Sequence, residues 1–142
     1  MEKVGPDKLV KSDAEWRAEL TPAQYHVLRE HGTERAYAGE LHANHDAGTY
    51  VCAGCGQELF ASDAKFESGT GWPSFTRPVA PSAVDEHEDR KFFMRRTEVR
   101  CARCDGHLGH VFRDGPREAG GLRYCMNSAA MEFEPKTQST ER

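Results

Sequence analysis

The spacing of hydrophobic and polar positions changes character near residue 49. Ahead of it, apolar side chains recur at helical intervals: Trp16 and Leu20 stand four apart, and Tyr25, Val27 and Leu28 follow after a short break. Residues four apart lie on one face of a helix, so each group predicts a short helix with one buried side. The start signals agree. Ser12-Asp13-Ala14-Glu15 fits a capping box, in which the Ser hydroxyl accepts from the Glu15 amide and the Glu side chain reaches back. Thr21-Pro22-Ala23-Gln24 fits a second cap, with Pro22 at the first helical position, where its missing N–H costs nothing. Gly32, just after His31, is the expected left-handed stop.

From Thr49 onward the runs are short and are broken by Gly, Pro and Asp. Tyr50–Cys52, Lys91–Cys101, His110–Phe112, Leu122–Asn127 and Met131–Glu134 are predicted strands. In the second of these, Phe93, Arg95, Thr97 and Val99 share one face while Phe92, Met94, Arg96 and Glu98 share the other. Neither face is cleanly apolar, so the pattern leaves its core side open. The mixed-charge stretch Asp85–Arg96 is expected to be a solvated loop leading into that strand. The fold class is therefore mainly β within α+β: a small antiparallel β domain with short N-terminal helices. A single domain is expected over 12–134, with flexible tails at 1–11 and 135–142.

Composition narrows the class. The chain has 142 residues, 37% of them hydrophobic and 30% charged, which suits one globular domain whose modest core an added cross-link would help. A net charge of −4 without a clustered basic face argues against a nucleic-acid partner. No apolar run approaches membrane-spanning length, and residues 1–11 lack the apolar core of a signal peptide. The expectation is a cytoplasmic, monomeric protein that does not contact membranes.

The five cysteines carry the chemistry. An odd number cannot pair completely as disulfides, and in a reducing compartment C-x-x-C units favour metal or redox chemistry. Cys52-Ala53-Gly54-Cys55 and Cys101-Ala102-Arg103-Cys104 align as a repeat that extends to Leu59 and Leu108. Each looks like a knuckle in which a strand delivers one thiolate and a tight turn the next, with Gly54, Gly56 and Gly106 supplying permissive backbone. Two knuckles give four sulfurs, a closed tetrahedral site for one structural zinc ion. Iron fits the same geometry, a pair of redox dithiols is the rival reading, and His107 or His110 could replace one cysteine.

Cys125 is then the thiol left over. Alternation puts Arg123, Cys125 and Asn127 on one face of a strand, where a guanidinium favours the thiolate and an amide can orient water or substrate. A buried structural cysteine is the plainer alternative. His107 and His110 follow the second knuckle at once and are suited to moving protons to an oxygen. Asp114 is placed to orient an imidazole or to pair with Arg123. Trp72, on a Gly/Pro-shaped loop, either plugs the core or walls an apolar pocket. The sixth position after Cys125 is Met131, where a cysteine phosphatase would need Arg, and the local signature of a papain-like protease is missing.

Taken together, the two knuckles, Ser68-Gly69-Thr70-Gly71-Trp72-Pro73-Ser74-Phe75, His107-Leu108-Gly109-His110-Val111-Phe112 and Arg123-Tyr124-Cys125-Met126-Asn127-Ser128 resemble the peptide-methionine (R)-S-oxide reductases, from about Trp16 to Phe133. The resemblance implies two antiparallel sheets in a tent-like arrangement, with the zinc far from the catalytic centre. It implies that the Cys125 thiolate attacks the sulfur of a methionine R-sulfoxide and is left as a sulfenic acid. By position, His107 and His110 would bind and protonate the oxygen, Trp72 would contact the methyl group, and Asn127 would assist. Arg123 with Asp114 would tune these groups. Oxidised proteins carrying the sulfoxide are the implied substrates. One departure stands out: Thr70 occupies the place where many members carry a resolving cysteine. An external thiol, thioredoxin or a small one, is therefore expected to reset Cys125. The main alternative to an enzyme is a zinc-ribbon module that binds protein or nucleic acid.

Overall fold

The computed structural model of the protein describes residues 8–39, 41–91 and 94–136. Two helices open the chain, α1 (Asp13–Glu19) and α2 (Pro22–Glu30). Both capping boxes form. The Ser12 hydroxyl accepts from the Glu15 amide at 3.2 Å while the Glu15 carboxylate accepts from the Ser12 amide at 2.8 Å. Thr21 and Gln24 repeat the pair at 3.2 and 2.9 Å. The end of α2 differs from expectation: His31, not Gly32, takes the left-handed conformation, with φ 58°. A Cβ at Gly32 would sit 2.2 Å from the ring of His26, an exposed side chain that would have to swing aside.

The strands are β1 (Gly48–Cys52), β2 (Glu58–Ala61), β3 (Lys65–Phe66), β4 (Ser74–Phe75), β5 (Val84–Lys91), β6 (Met94–Cys101), β7 (His107–Phe112), β8 (Arg123–Met126) and β9 (Met131–Pro135). They form two antiparallel sheets, one ordered β2-β1-β9 and the other β3-β4-β8-β7-β6-β5. This is the mainly β, two-sheet architecture with short N-terminal helices that was expected. Phe92 and Phe93, the expected start of the strand ending at Cys101, lie outside the described residues. So do 1–7 and 137–142 of the two expected tails; nearer the domain, the Leu9 amide donates to the Arg103 carbonyl at 2.7 Å and Pro135 pairs with Gly48.

The stretch expected to be a charged loop is instead strand β5 over most of its length, paired along β6 with Asp85 opposite Arg100 and His87 opposite Glu98. β5 is the edge of its sheet, and charged side chains on an edge leave the backbone pairing intact while discouraging contact with other chains. Its polarity therefore hid it from a hydrophobic pattern.

The core lies between the sheets and under the helices. Phe60 stacks on Phe75 with centroids 4.4 Å apart, and Tyr50 meets Phe75 edge-on at 5.0 Å. Leu59, Val99, Leu108 and Met126 are fully buried around them, and Trp16, Leu20, Val27 and Leu28 join from the helices. Each such side chain contributes about 1.5–3 kcal/mol by leaving water. Val99 and Glu98 are both buried, so β6 is covered on both faces at this end, which explains its unclear alternation.

Candidate active site and metal centre

The two knuckles are superimposable in their hydrogen bonding. The Cys52 amide donates to the Gln57 carbonyl at 2.8 Å and the Gly56 amide returns to the Cys52 carbonyl at 2.9 Å. In the second knuckle, Cys101 donates to Gly106 and Asp105 returns to Cys101, both at 2.9 Å. The fifth residue of each turn is left-handed, Gly56 at φ 80° and Asp105 at φ 62°. Gly106 is therefore not a conformational glycine; its hydrogen lets Leu28 pack 2.9 Å from where a Cβ would stand.

All four sulfur atoms of Cys52, Cys55, Cys101 and Cys104 lie within 4.8 Å of one another. The Cys52–Cys104 and Cys55–Cys101 separations are 3.7 and 3.5 Å. A tetrahedral ion with sulfur bonds of ~2.3 Å sets its ligands about 3.8 Å apart, so the donor set fits. The mutual proximity of the sulfurs pushes the Cys52 and Cys101 thiols up and holds Cys55 and Cys104 down. A cation removes that conflict by accepting all of them as thiolates. The helices brace this end, with the Arg29 guanidinium donating to the Cys104 carbonyl at 2.9 Å and lying 4.6 Å from the Trp16 ring.

Cys125 stands apart from that cluster, half-buried on β8, in a cavity of about 240 Å³. Antiparallel register seats it directly between His110 on β7 and Ser74 on β4. Trp72, Phe112 and Arg123 also wall the cavity. Burial pushes the Cys125 thiol up, against the Arg123 charge and the hydroxyls of Thr70 and Ser74, which favour the thiolate. Arg123 donates to both carboxylate oxygens of Asp114, at 2.8 and 3.2 Å, and lies 4.4 Å from the Phe112 ring centre. Asp114 thus pairs with Arg123 rather than with an imidazole.

The two site histidines occupy different layers. His110 lines the cavity, whereas His107 is buried against it with ring centroids 5.4 Å apart. His107 Nδ1 lies 2.7 Å from the Glu98 carboxylate, which also accepts from Arg100 at 3.0 Å. Its Nε2 is buried and finds no partner among the described residues. Burial works to raise the Glu98 carboxyl, but hydrogen bonds from Arg100 and His107 hold it below the usual range. Burial likewise pushes the His107 imidazole down, against the pull of Glu98.

An unfolded histidine titrates near 6.5, so below about pH 6.5 the unfolded chain takes up the His107 proton first. This contribution to stability is present above about pH 6.5 and is lost as the pH falls through that value toward the lower folded pKa. Denaturant unfolding is expected to show the parent losing more stability than His107→Gln between about pH 7.5 and 5.5.

His31, Glu98 and His107 also bring three donor atoms within 4.8 Å. The His31 and His107 rings are stacked, however, with planes 6° apart. A ring nitrogen's lone pair lies in its ring plane, so two parallel rings do not converge on one ion. The carboxylate, with its imidazole and guanidinium partners, accounts for the cluster.

Asn127 is more constrained than its strand position suggested. Its Oδ1 accepts from the Glu34 amide at 2.9 Å and its Nδ2 donates to the Leu108 carbonyl at 3.0 Å. Glu34 is one of two residues here that sequence reasoning missed. Its carbonyl accepts from the Trp72 indole at 3.0 Å, and its carboxylate accepts from the Ser128 and Ala129 amides at 2.8 and 2.9 Å. One residue thereby ties Trp72 to Asn127. No local pattern points to it, because its carboxylate partners lie more than ninety positions away in the chain. Glu98 was also unassigned; a lone carboxylate opposite a histidine across two strands was the available signal.

Fold and site together define a two-sheet protein with four cysteines placed to hold a metal ion and one uncommitted thiol in a cavity walled by imidazole, indole and guanidinium groups. The chain belongs to the SelR domain family, which matches residues 20–135. A peptide methionine sulfoxide reductase MsrB of Bradyrhizobium diazoefficiens is 62% identical over 134 residues, covering 94% of this chain and 96% of that protein. The proteins of the same name from Agrobacterium fabrum and Methanosarcina mazei are 58% and 57% identical over 128 and 127 residues. These alignments cover 90% and 89% of this chain and 94% and 90% of those relatives. The Mis18 "Yippee-like" domain, whose crystal structure is known, shares the fold alone, with a TM-score of 0.52 at 17% identity, over 65% of this chain and 99% of that one.

Proposed function

We propose that this chain reduces the R epimer of methionine sulfoxide, in oxidised proteins and as the free amino acid, with Cys125 as the nucleophile. The observation that carries the reading is the cross-strand placement of Cys125 beside His110 in a cavity walled by Trp72. The Cys125 sulfur attacks the sulfoxide sulfur, the S–O bond breaks, and the oxygen is transferred to the cysteine. Thiol plus sulfoxide becomes sulfenic acid plus thioether: Cys125 is oxidised by two electrons and the methionine sulfur is reduced by two. The thiol proton passes through the imidazoles to the oxygen, and Glu98 stabilises His107 while it is charged. Trp72 and Phe112 offer an apolar wall for the S-methyl group. Arg123, held by Asp114, keeps positive charge beside the sulfur. Asn127 fixes the wall between β7 and β8 through its bond to Leu108.

Cys52, Cys55, Cys101 and Cys104 would hold one zinc ion, which supplies structural cross-linking and takes no part in the reaction. With Thr70 beside Cys125, the sulfenic acid is released by an external thiol, thioredoxin or a small one. No helix among the described residues is long and apolar enough to cross a membrane, and the site is read as acting on substrates in the cytoplasm. The test is an epimer-resolved assay with a dithiol reductant. Consumption of the R epimer with the S epimer untouched is expected; consumption of neither would remove the proposal.

A further inference from the structure

Beside Cys125, three hydroxyl groups sit within reach of one another. Ser68 Oγ lies 2.8 Å from Thr70 Oγ1 and 2.8 Å from Ser74 Oγ. Thr70 lines the same cavity as Cys125, Ser74 is its cross-strand neighbour, and both hydroxyls favour the thiolate. Backbone groups hold the cluster: the Ser74 hydroxyl is 3.2 Å from the Trp72 carbonyl oxygen, and the Trp72 and Thr70 amides donate to Thr70 Oγ1 and Ser68 Oγ, each at 3.4 Å.

Each hydroxyl has one hydrogen to donate, so these contacts cannot all be donated at once. Two head-to-tail arrangements fit. When Cys125 is a thiol, its S–H donates to Thr70, Thr70 to Ser68, Ser68 to Ser74, and Ser74 to the Trp72 carbonyl. When Cys125 is a thiolate it can only accept, and the order reverses: Ser68 donates to Thr70 and Thr70 to sulfur, while Ser74 turns from the Trp72 carbonyl toward Ser68 or the sulfur. Passing from one to the other needs only three hydroxyl rotations. The thiol proton does not travel along the chain, because the far end is an amide carbonyl with no useful basicity; it leaves through the imidazoles.

We propose that Ser68, Thr70 and Ser74 form a reversible hydroxyl chain that turns a donor toward Cys125 as it ionises, making Thr70 and Ser68 positioning residues for the nucleophile. The proposal rests on the reading of Cys125 given above. It also gives Thr70 a purpose of its own, since a hydroxyl is a stronger donor to a thiolate than the weak S–H of a cysteine at that position. The charged and titratable groups around the sulfur are Arg123 on β8, His110 on β7 and Arg96 on β6. β4 and residues 68–72 carry no ionisable side chain, so a change at Ser68 or Thr70 alters hydrogen bonding without altering charge.

The experiment is the pH dependence of Cys125 alkylation by iodoacetamide in the full zinc-loaded chain, with the adduct assigned by peptide mapping. Thr70→Val is expected to raise the midpoint by about one unit, leaving about tenfold less thiolate at a pH below it. Thr70→Ser is expected to restore the parental midpoint. Ser68→Ala, one step removed from the sulfur, is expected to raise it by a smaller amount. An unchanged midpoint in Thr70→Val overturns the proposal, and so does an unchanged midpoint in Ser68→Ala. Zinc content and thermal unfolding establish that each variant is folded, and Thr70→Ala replaces Thr70→Val if valine disrupts the loop. Alkylation involves no sulfoxide, so failure of the hydroxyl chain is distinguishable from failure of the reductase reading, which would show as no turnover by the parent.

Discussion

Replacing Cys125 with serine is expected to lower methionine R-sulfoxide turnover by about 10⁴-fold or more while leaving the fold intact. Sulfur is both the attacking atom and the atom that is oxidised, and a serine oxygen can fill neither role. The substitution changes one atom at a half-buried position outside the core cluster, so unfolding and metal content should match the parent. Methionine formation measured by chromatography, beside thermal unfolding of the same preparation, separates loss of chemistry from loss of structure. The histidines, Trp72 and Arg123 remain in place in this variant, so its residual rate measures what the cavity achieves without a nucleophile.

The second large effect is on folding. Cys101→Ser, or removal of the metal by a chelator, is expected to abolish the cooperative unfolding transition. Structural zinc supplies an apparent binding energy of about 10 kcal/mol or more to a small domain, comparable with the whole stability of ~5–15 kcal/mol expected for one. A bound ion would clamp the end of β1 to the end of β6, and these strands belong to different sheets. Without the ion, four sulfurs at such separations either repel as thiolates or lose their arrangement as thiols. Elemental analysis should find about one zinc per chain in the folded protein, and circular dichroism after chelation should show the ordered β signal lost.

What was legible in the sequence was what is local or repeated. The knuckles announce themselves because each is a run of a few residues and the second repeats the first, down to its turn hydrogen bonds. The capping boxes of α1 and α2 are equally local, with partners three positions apart. β5 was not legible, because an edge strand needs no apolar face and Asp85 to Lys91 carries none. Glu34 and Glu98 escaped for another reason. Their meaning comes from partners brought in by topology: Ser128, Ala129 and Asn127 for the first, and His107 across the β6–β7 pair for the second. Alternation along β8 correctly put Arg123 and Cys125 in one cavity, but it could not reveal that the Asn127 amide is already engaged by Glu34 and Leu108. Likewise, the spacing of His107 and His110 could not reveal that only the second lines the cavity.

In the proposed reaction Cys125 takes the oxygen and has no partner cysteine within the chain. A single turnover checks both points: one equivalent of methionine R-sulfoxide is added to the reduced protein without reductant, and the product is mapped by mass spectrometry. About one methionine per chain should form, with one added oxygen, or its trapped sulfenic-acid adduct, on Cys125 alone. Methionine formation with Cys125 unmodified would show that another group takes the oxygen, and a disulfide joining Cys125 to Cys52, Cys55, Cys101 or Cys104 would show that the thiol has a partner within the chain.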